Sequence, residues 1–319
     1  MKKFLIQTVF FLITIFLINH AVVWWYEAPQ RKAIKEGTHK KFLKWNAMQS
    51  NPDTYEVILL GSSRGYCAYD PKEIDAITGS KSFNMCTGSQ NVIESYYYLK
   101  EILRYQKPKT VVYETFLPSF SPSPDNFNVF SNASFMSLSG KKEMIFNEFK
   151  GEAVMNILFP IFKHKYYLRR DLSNRLKSGK VSPESSNRWE KGYFYSEKVV
   201  SDAEIGNFSP IYNFDNSVVS LENVAKYLGL MHSLCKENNI EFICVRAPYP
   251  PTRLKISKSD TVHDYFADFY KKRNIPFYDF NYSEKEKYFD QDFTDYHHMN
   301  NSGDKKVSKE LAEKLLVGK

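Results

Sequence analysis

Five short, largely apolar runs constrain this chain more than any other feature. They fall at residues 57–60, 82–85, 110–114, 241–246 and 276–280. Continuous apolar runs of this length suit strands buried on both faces, the condition of a parallel sheet. Helical patterns lie between them. Residues 91–106, NVIESYYYLKEILRYQ, place Ile93, Tyr97, Leu99, Ile102 and Leu103 largely on one face. Residues 220–239 open with Ser220 and have Glu222 nearby, a plausible N-terminal cap. Residues 259–274 end in basic side chains, which suit a helix C-terminus, and a last helix spans roughly 302–316. Strand–helix alternation of this kind predicts a three-layer α/β sandwich with a mostly parallel sheet.

The alternation breaks between about 117 and 219. That interval opens as a Pro/Ser/Asn-rich loop, LPSFSPSPDNFNVFSNASF. It continues through MNILFPIFKHKYYLRRDLSNRLKSGK, which mixes apolar and basic residues. It reads as an insertion packed over one end of the sheet, as a lid or docking surface; a separate domain is the alternative. Its basic residues Lys163, Lys165, Arg169, Arg170, Arg175, Lys177 and Lys180 suit either phosphate-bearing glycans or lipid, or a solvated helical face.

The N-terminus adds a second constraint. Two lysines precede an apolar run from Phe4 to Trp25, long enough for the ~20 residues a bilayer-spanning helix needs. Trp24, Trp25 and Tyr26 suit the membrane interface, and no small-x-small cleavage site follows the run. A retained anchor over 1–26 is expected, with a polar, helix-prone connector over 27–50 and the α/β domain over 51–319. Charge leaves the orientation open. Lys2 and Lys3 favour a cytoplasmic N-terminus, whereas Arg31, Lys32, Lys35, Lys40, Lys41 and Lys44 favour the opposite, or lie on anionic headgroups.

The formal charge of +8 is spread along the chain and accompanies no nucleic-acid motif, so no nucleic-acid partner is expected. Of the four cysteines, Cys67, Cys86, Cys235 and Cys244, none forms a Cys-x-x-Cys pair, so no zinc site is expected. They read as four small buried side chains, with a Cys67–Cys86 pair as the alternative outside the cytoplasm.

In a doubly wound sheet, ligands bind beyond the carboxyl ends of the strands. Gly61-Ser62-Ser63 occupies the turn after the first run. Glycine permits a sharp turn, and the helix that follows offers free backbone N–H groups to an oxyanion. A serine there becomes a nucleophile only with a base to take its proton. Near the other end, Asp295 and His298 are three residues apart, a spacing that lets a carboxylate orient an imidazole. Ser62 is the alternative nucleophile, His297 the rival base and Asp292 the backup carboxylate. Arg64 could bind an anionic substrate or form a salt bridge. Arg246, in VRAPYPP after the fourth run, could touch substrate or belong to a rigid loop.

These residues resemble the SGNH (GDSL-type) hydrolase superfamily. The likeness is to its membrane-anchored branch, which includes the teichoic-acid D-alanyl transfer protein and the alginate O-acetylation proteins. Gly61-Ser62-Ser63 resembles the Gly-Asp-Ser block, with serine replacing aspartate. SFNMCTGSQNVIESYYYL resembles the second block, and Asp295 to Gly303 resembles the closing Asp-x-x-His-(Leu)-Asn-x-x-Gly signature. The likeness covers the anchor, 56–114 and 240–316, not the insertion. It implies a flavodoxin-like sheet and an outward-facing domain. It also implies Ser63 as nucleophile, His298 as base, Asp295 as orienter and Gly88 as an oxyanion-hole glycine; Asn84, in the second block, is a further candidate for the oxyanion hole, and no cofactor is expected. The implied activity is that of a serine esterase or O-acyltransferase acting on a cell-surface glycan or glycopolymer, with a multi-pass membrane O-acyltransferase as acyl supplier. One block departs: where the family has Gly-x-Asn-Asp, this chain has VVYETFLPSF. That departure keeps open a second reading, a non-catalytic SGNH-like glycan-binding or assembly partner.

Overall fold

The computed structural model describes residues 1–122, 126–164, 189–211, 219–257, 259–283 and 287–317. The predicted runs form the central sheet: β1 (Val57–Leu60), β2 (Ser82–Asn84), β3 (Thr110–Glu114), β6 (Glu241–Arg246) and β7 (Phe277–Asp279). Their order is β2-β1-β3-β6-β7 and every pairing is parallel, the flavodoxin-like arrangement. Among the described residues two further strands, β4 (Trp189–Glu190) and β5 (Tyr193–Phe194), form a separate antiparallel hairpin.

All four residues of β1 are buried, because helices cover both faces of the sheet. Alternation divides them. Ile58 and Leu60 enter the larger core with Val111 and Tyr113, under the helices Val92–Ile102, Leu221–Glu237 and Ser259–Lys271. Val57 and Leu59 face the smaller core with Val112, Ile243 and Val245, under the closing helix Asn301–Val317. The registers bring the C-terminal ends of β1 and β3 side by side, Leu60 opposite Tyr113. Gly61 therefore lies against Glu114. Its φ is +145°, and a Cβ at this position would stand 2.8 Å from the Glu114 Cβ, which leaves room for glycine alone.

Helix α1, Lys2–Tyr26, is long and apolar enough to cross a membrane, and most of it is exposed. The stretch expected as a connector contains two helices, α2 (Ala28–Lys35) and α3 (Lys40–Ser50). The second is not a spacer. Trp45 and Met48, three residues apart, insert into the larger core, and Lys44 is buried beside them.

The described parts of the insertion pack at several places. Its first part contributes Val129, Met144 and Phe149 to the larger core. The β4–β5 hairpin lies against edge strand β2, where the Asn84 N–H donates to the Lys191 carbonyl at 2.9 Å. The segment after it reaches the loop before the closing helix: Val200 N–H donates to the Phe293 carbonyl at 2.8 Å. Residues 165–180, with most of the basic stretch, lie outside the described residues, as does the Lys163 side chain.

Candidate active site

Ser62 and Ser63 leave the turn in opposite directions. Ser62 is the N-cap of the short helix Ser63–Ala68, its Oγ accepting the Arg64 N–H at 3.3 Å. The same hydroxyl donates to Glu114 at 3.2 Å, and Ser62 is fully buried. It is thus turned away from the closing loop. Ser63, the first residue of the helix, places its Oγ 2.8 Å from His298 Nε2.

Across the ring, His298 Nδ1 lies 2.8 Å from Asp295 Oδ2. The other carboxylate oxygen accepts the backbone N–H groups of His297 and His298, each at 2.9 Å, closing a tight loop around the acid. Burial pushes the Asp295 carboxyl up, but the His298 hydrogen bond and charge and the two N–H donors outweigh it and hold the group well below the usual carboxylate range. An ionised Asp295 makes Nδ1 the donor, which leaves Nε2 to accept the Ser63 hydroxyl proton. The chain thus brings together three residues up to 235 positions apart in a serine–imidazole–carboxylate relay.

His297 does not join the relay. Its Nδ1 is buried with no hydrogen bond among the described residues, and burial together with His298 pushes its pKa down to about 2. Asp292 is also occupied elsewhere: it accepts from Phe289 N–H, Ser302 Oγ and Lys306 Nζ, holding the start of the closing helix. Asp295, His297 and His298 are the one described group whose ligand atoms, all within 4.8 Å, could share a metal ion. His298 has both nitrogens in hydrogen bonds, so it would give up Ser63 or Asp295 to bind one.

Asn84, Arg246 and Arg64 are all held by contacts within the protein, which for the two arginines are the salt-bridge and loop-fixing alternatives. Asn84 is fully buried, donates to the carbonyls of Gly65 and Tyr69 at 3.0 and 2.9 Å, and accepts the Cys86 N–H at 3.1 Å. Its amide has no donor left over; it ties the helix Ser63–Ala68 to β2. Arg246 is buried against Asp279, at 2.9 Å, which His263 also meets at 3.0 Å. Arg64 is buried in a salt bridge with Glu114 at 3.3 Å, its guanidinium 3.5 Å from the Tyr249 ring centroid, and it donates to the Ala247 and Pro248 carbonyls. The post-β6 loop is thereby fastened to the turn that carries Ser62 and Ser63. Gly88 lies in the loop after β2, half-buried, and among the described residues nothing takes its N–H.

Several supporting residues carried no signal in the sequence. Glu114 stands at the C-terminal end of β3, between Ser62 and Arg64, and desolvation raises its pKa against their pull. Arg253, also buried, donates to the Tyr296 carbonyl at 2.9 Å and steadies the Asp295–His298 loop. Lys44 donates to the Cys86 carbonyl at the root of the Gly88 loop, between the rings of Tyr66 and Trp189. Burial lowers its pKa to about 7. All four cysteines are buried and free. A pocket of about 310 Å³ flanks the relay, lined by Glu204, Asn207, Phe208, Ser209, Asp295 and Tyr296.

A protein-family model carrying no description matches residues 213–317. No curated protein matches the sequence. Among solved structures, the chain is similar to a protein assigned to the lipolytic G-D-S-L family from Desulfitobacterium hafniense DCB-2. Identity there is 12% and the TM-score 0.41, over 81% of this chain and 97% of that one. It is also similar to a protein assigned as an acylhydrolase from Bacteroides fragilis, at 13% identity and TM-score 0.39, over 86% and 92% of the two chains. An acetyl xylan esterase from Butyrivibrio proteoclasticus matches at 10% identity and TM-score 0.32, over 83% and 64%.

Proposed function

We propose that this chain is a membrane-anchored, extracytoplasmic serine esterase or O-acyltransferase of SGNH type, acting on a cell-surface glycan or glycopolymer. The observation that carries the reading is the 2.8 Å contact of Ser63 Oγ with a His298 that Asp295 orients at 2.8 Å. In this mechanism Ser63 Oγ attacks the acyl carbonyl while its proton passes to His298 Nε2. Asp295 stabilises the imidazolium and is not itself protonated. The N–H groups of Ser63 and Gly88 take the negative oxygen of the tetrahedral intermediate. Its collapse expels the alcohol, which leaves with the proton from His298, and the acyl group stays on Ser63. Water or a glycan hydroxyl then repeats the steps in reverse. The acyl group is acetyl or a small relative, delivered by a multi-pass membrane O-acyltransferase when the reaction is transfer.

One observation favours a second reading, a non-catalytic SGNH-like glycan-binding or assembly partner. The family's third block, with its asparagine, is replaced by Glu114-Thr115-Phe116, and the first two side chains are bonded inward, to Ser62, Arg64 and Tyr270. Turnover of p-nitrophenyl acetate separates the two. The enzyme reading expects hydrolysis by the full-length chain that is lost in Ser63→Ala. Equal rates for both proteins would leave the non-catalytic reading.

A further inference from the structure

The sequence VMNILFPIF, residues 154–162, holds no charged side chain. It forms the end of the helix Lys150–Leu158 and the start of the 3-10 turn Pro160–His164. The turn packs against α1. Ile161 N–H donates to Asn19 Oδ1 at 3.4 Å, and His164 Nε2 lies 2.9 Å from Glu27 Oε1. Yet Val154, Met155, Leu158 and Phe162 stay 53, 44, 43 and 47% exposed.

Helix arithmetic fixes the depth of this contact. A hydrocarbon layer about 30 Å thick takes about 20 residues at about 1.5 Å each. Counted from Lys3, the layer ends near Val23, so Asn19 lies inside it. If the layer ended before Asn19, residues 4–18 would cross only about 22 Å. A segment that touches Asn19 must then lie in the same layer. Its composition suits that place. The uncharged run ends at Lys163 and Lys165, cations that suit the headgroup level. Glu27 and His164 pair at the same end of α1. Asn19 would otherwise carry an unmet acceptor in hydrocarbon, and the Ile161 N–H meets it.

We propose that residues 154–162 are a second membrane contact, dipping beside α1 into the lipid leaflet next to the α/β domain and fixing how that domain sits on the bilayer. The partner is the acyl-chain and glycerol region of the leaflet. The proposal rests on the reading of α1 as an anchor. It draws on the same features that make interfacial segments bind, exposed apolar side chains beside basic ones.

The test uses the full-length chain in proteoliposomes carrying nitroxide on the lipid acyl chains. Single cysteines at Leu158, Phe10 and Ile77 each take an environment-sensitive maleimide fluorophore, the native cysteines being buried. Ile77, exposed on the helix Pro71–Thr78 across the sheet, is the aqueous reference. Phe10 reports the anchor. The proposal expects Leu158→Cys to give blue-shifted emission that the nitroxide lipid quenches, as for Phe10→Cys, with Ile77→Cys unquenched. Quenching at Phe10 with Leu158 behaving like Ile77 would overturn the second contact and leave the anchor standing. A blue shift at Leu158 without lipid quenching would mean cover by protein, a second copy or another partner, and would also overturn it. An unquenched Phe10 would overturn both readings.

Discussion

Replacing Asp295 by asparagine tests the relay through its tautomer. The carboxylate does two jobs: Oδ1 accepts two backbone N–H groups and Oδ2 accepts the His298 Nδ1 proton. Asparagine has one carbonyl oxygen and one NH₂. The two backbone donors cannot move, so they claim the oxygen, and the NH₂ faces Nδ1. Nδ1 must then become the acceptor, and the imidazole proton shifts to Nε2, pointing at Ser63 Oγ. A base that already carries its proton cannot take another. The loss expected for a triad histidine in the wrong tautomer is on the order of 10⁴-fold in kcat, about 5.4 kcal/mol. The assay is p-nitrophenyl acetate hydrolysis by the full-length chain, with the melting temperature as control. That temperature should hold, because both N–H bonds survive. Activity within tenfold of wild type, in a protein that melts normally, would refute the tautomer argument.

Three further outcomes follow from the surroundings of the relay. Glu114→Ala leaves the buried Arg64 guanidinium uncompensated and should lower stability in urea titration by about 3–5 kcal/mol; no measurable loss would mean the pair is not desolvated as described. Gly61→Ala forces a side chain into a left-handed backbone against Glu114, and a loss of at least about 1–3 kcal/mol is expected; an unchanged urea midpoint would contradict the turn geometry. Asp304 hydrogen-bonds to Tyr193, and burial, then Asp70 and Glu73, push its pKa up to about 7. The folded chain therefore keeps a proton that the unfolded chain releases above about pH 4, and this site should lower stability as pH rises toward 7, by up to about 1.4 kcal/mol per unit. Asp304→Asn should remove that slope, and a slope that persists would place its origin elsewhere.

The sheet was legible because its strands are buried on both faces, and that leaves an unmistakable apolar run at each. The serine turn and the Asp-x-x-His pair stood out in the sequence because each is a local motif, and the structure places them in contact. The supporting shell was not. Glu114 meets Ser62 and Arg64 only through the parallel register of β1 and β3, and no spacing within the chain announces that neighbour. The role of Arg246 stayed open between substrate and a rigid loop because its partner Asp279 comes from another strand. Asn84 looked like an oxyanion donor because nothing in the sequence shows that the Gly65 and Tyr69 carbonyls already hold its amide. Helix α3 passed for a connector because lysines surround its two core residues, and one of them, Lys44, is itself buried.

The central claim is that Ser63 is a nucleophile activated by His298. A fluorophosphonate probe reacts covalently with such a serine, and peptide mass spectrometry reads the adduct site. The account predicts one adduct, on the Gly61–Arg64 stretch at Ser63, present in wild type, absent in Ser63→Ala and strongly slowed in His298→Ala. Equal labelling of wild type and Ser63→Ala, or no labelling of a folded wild-type chain, would contradict it.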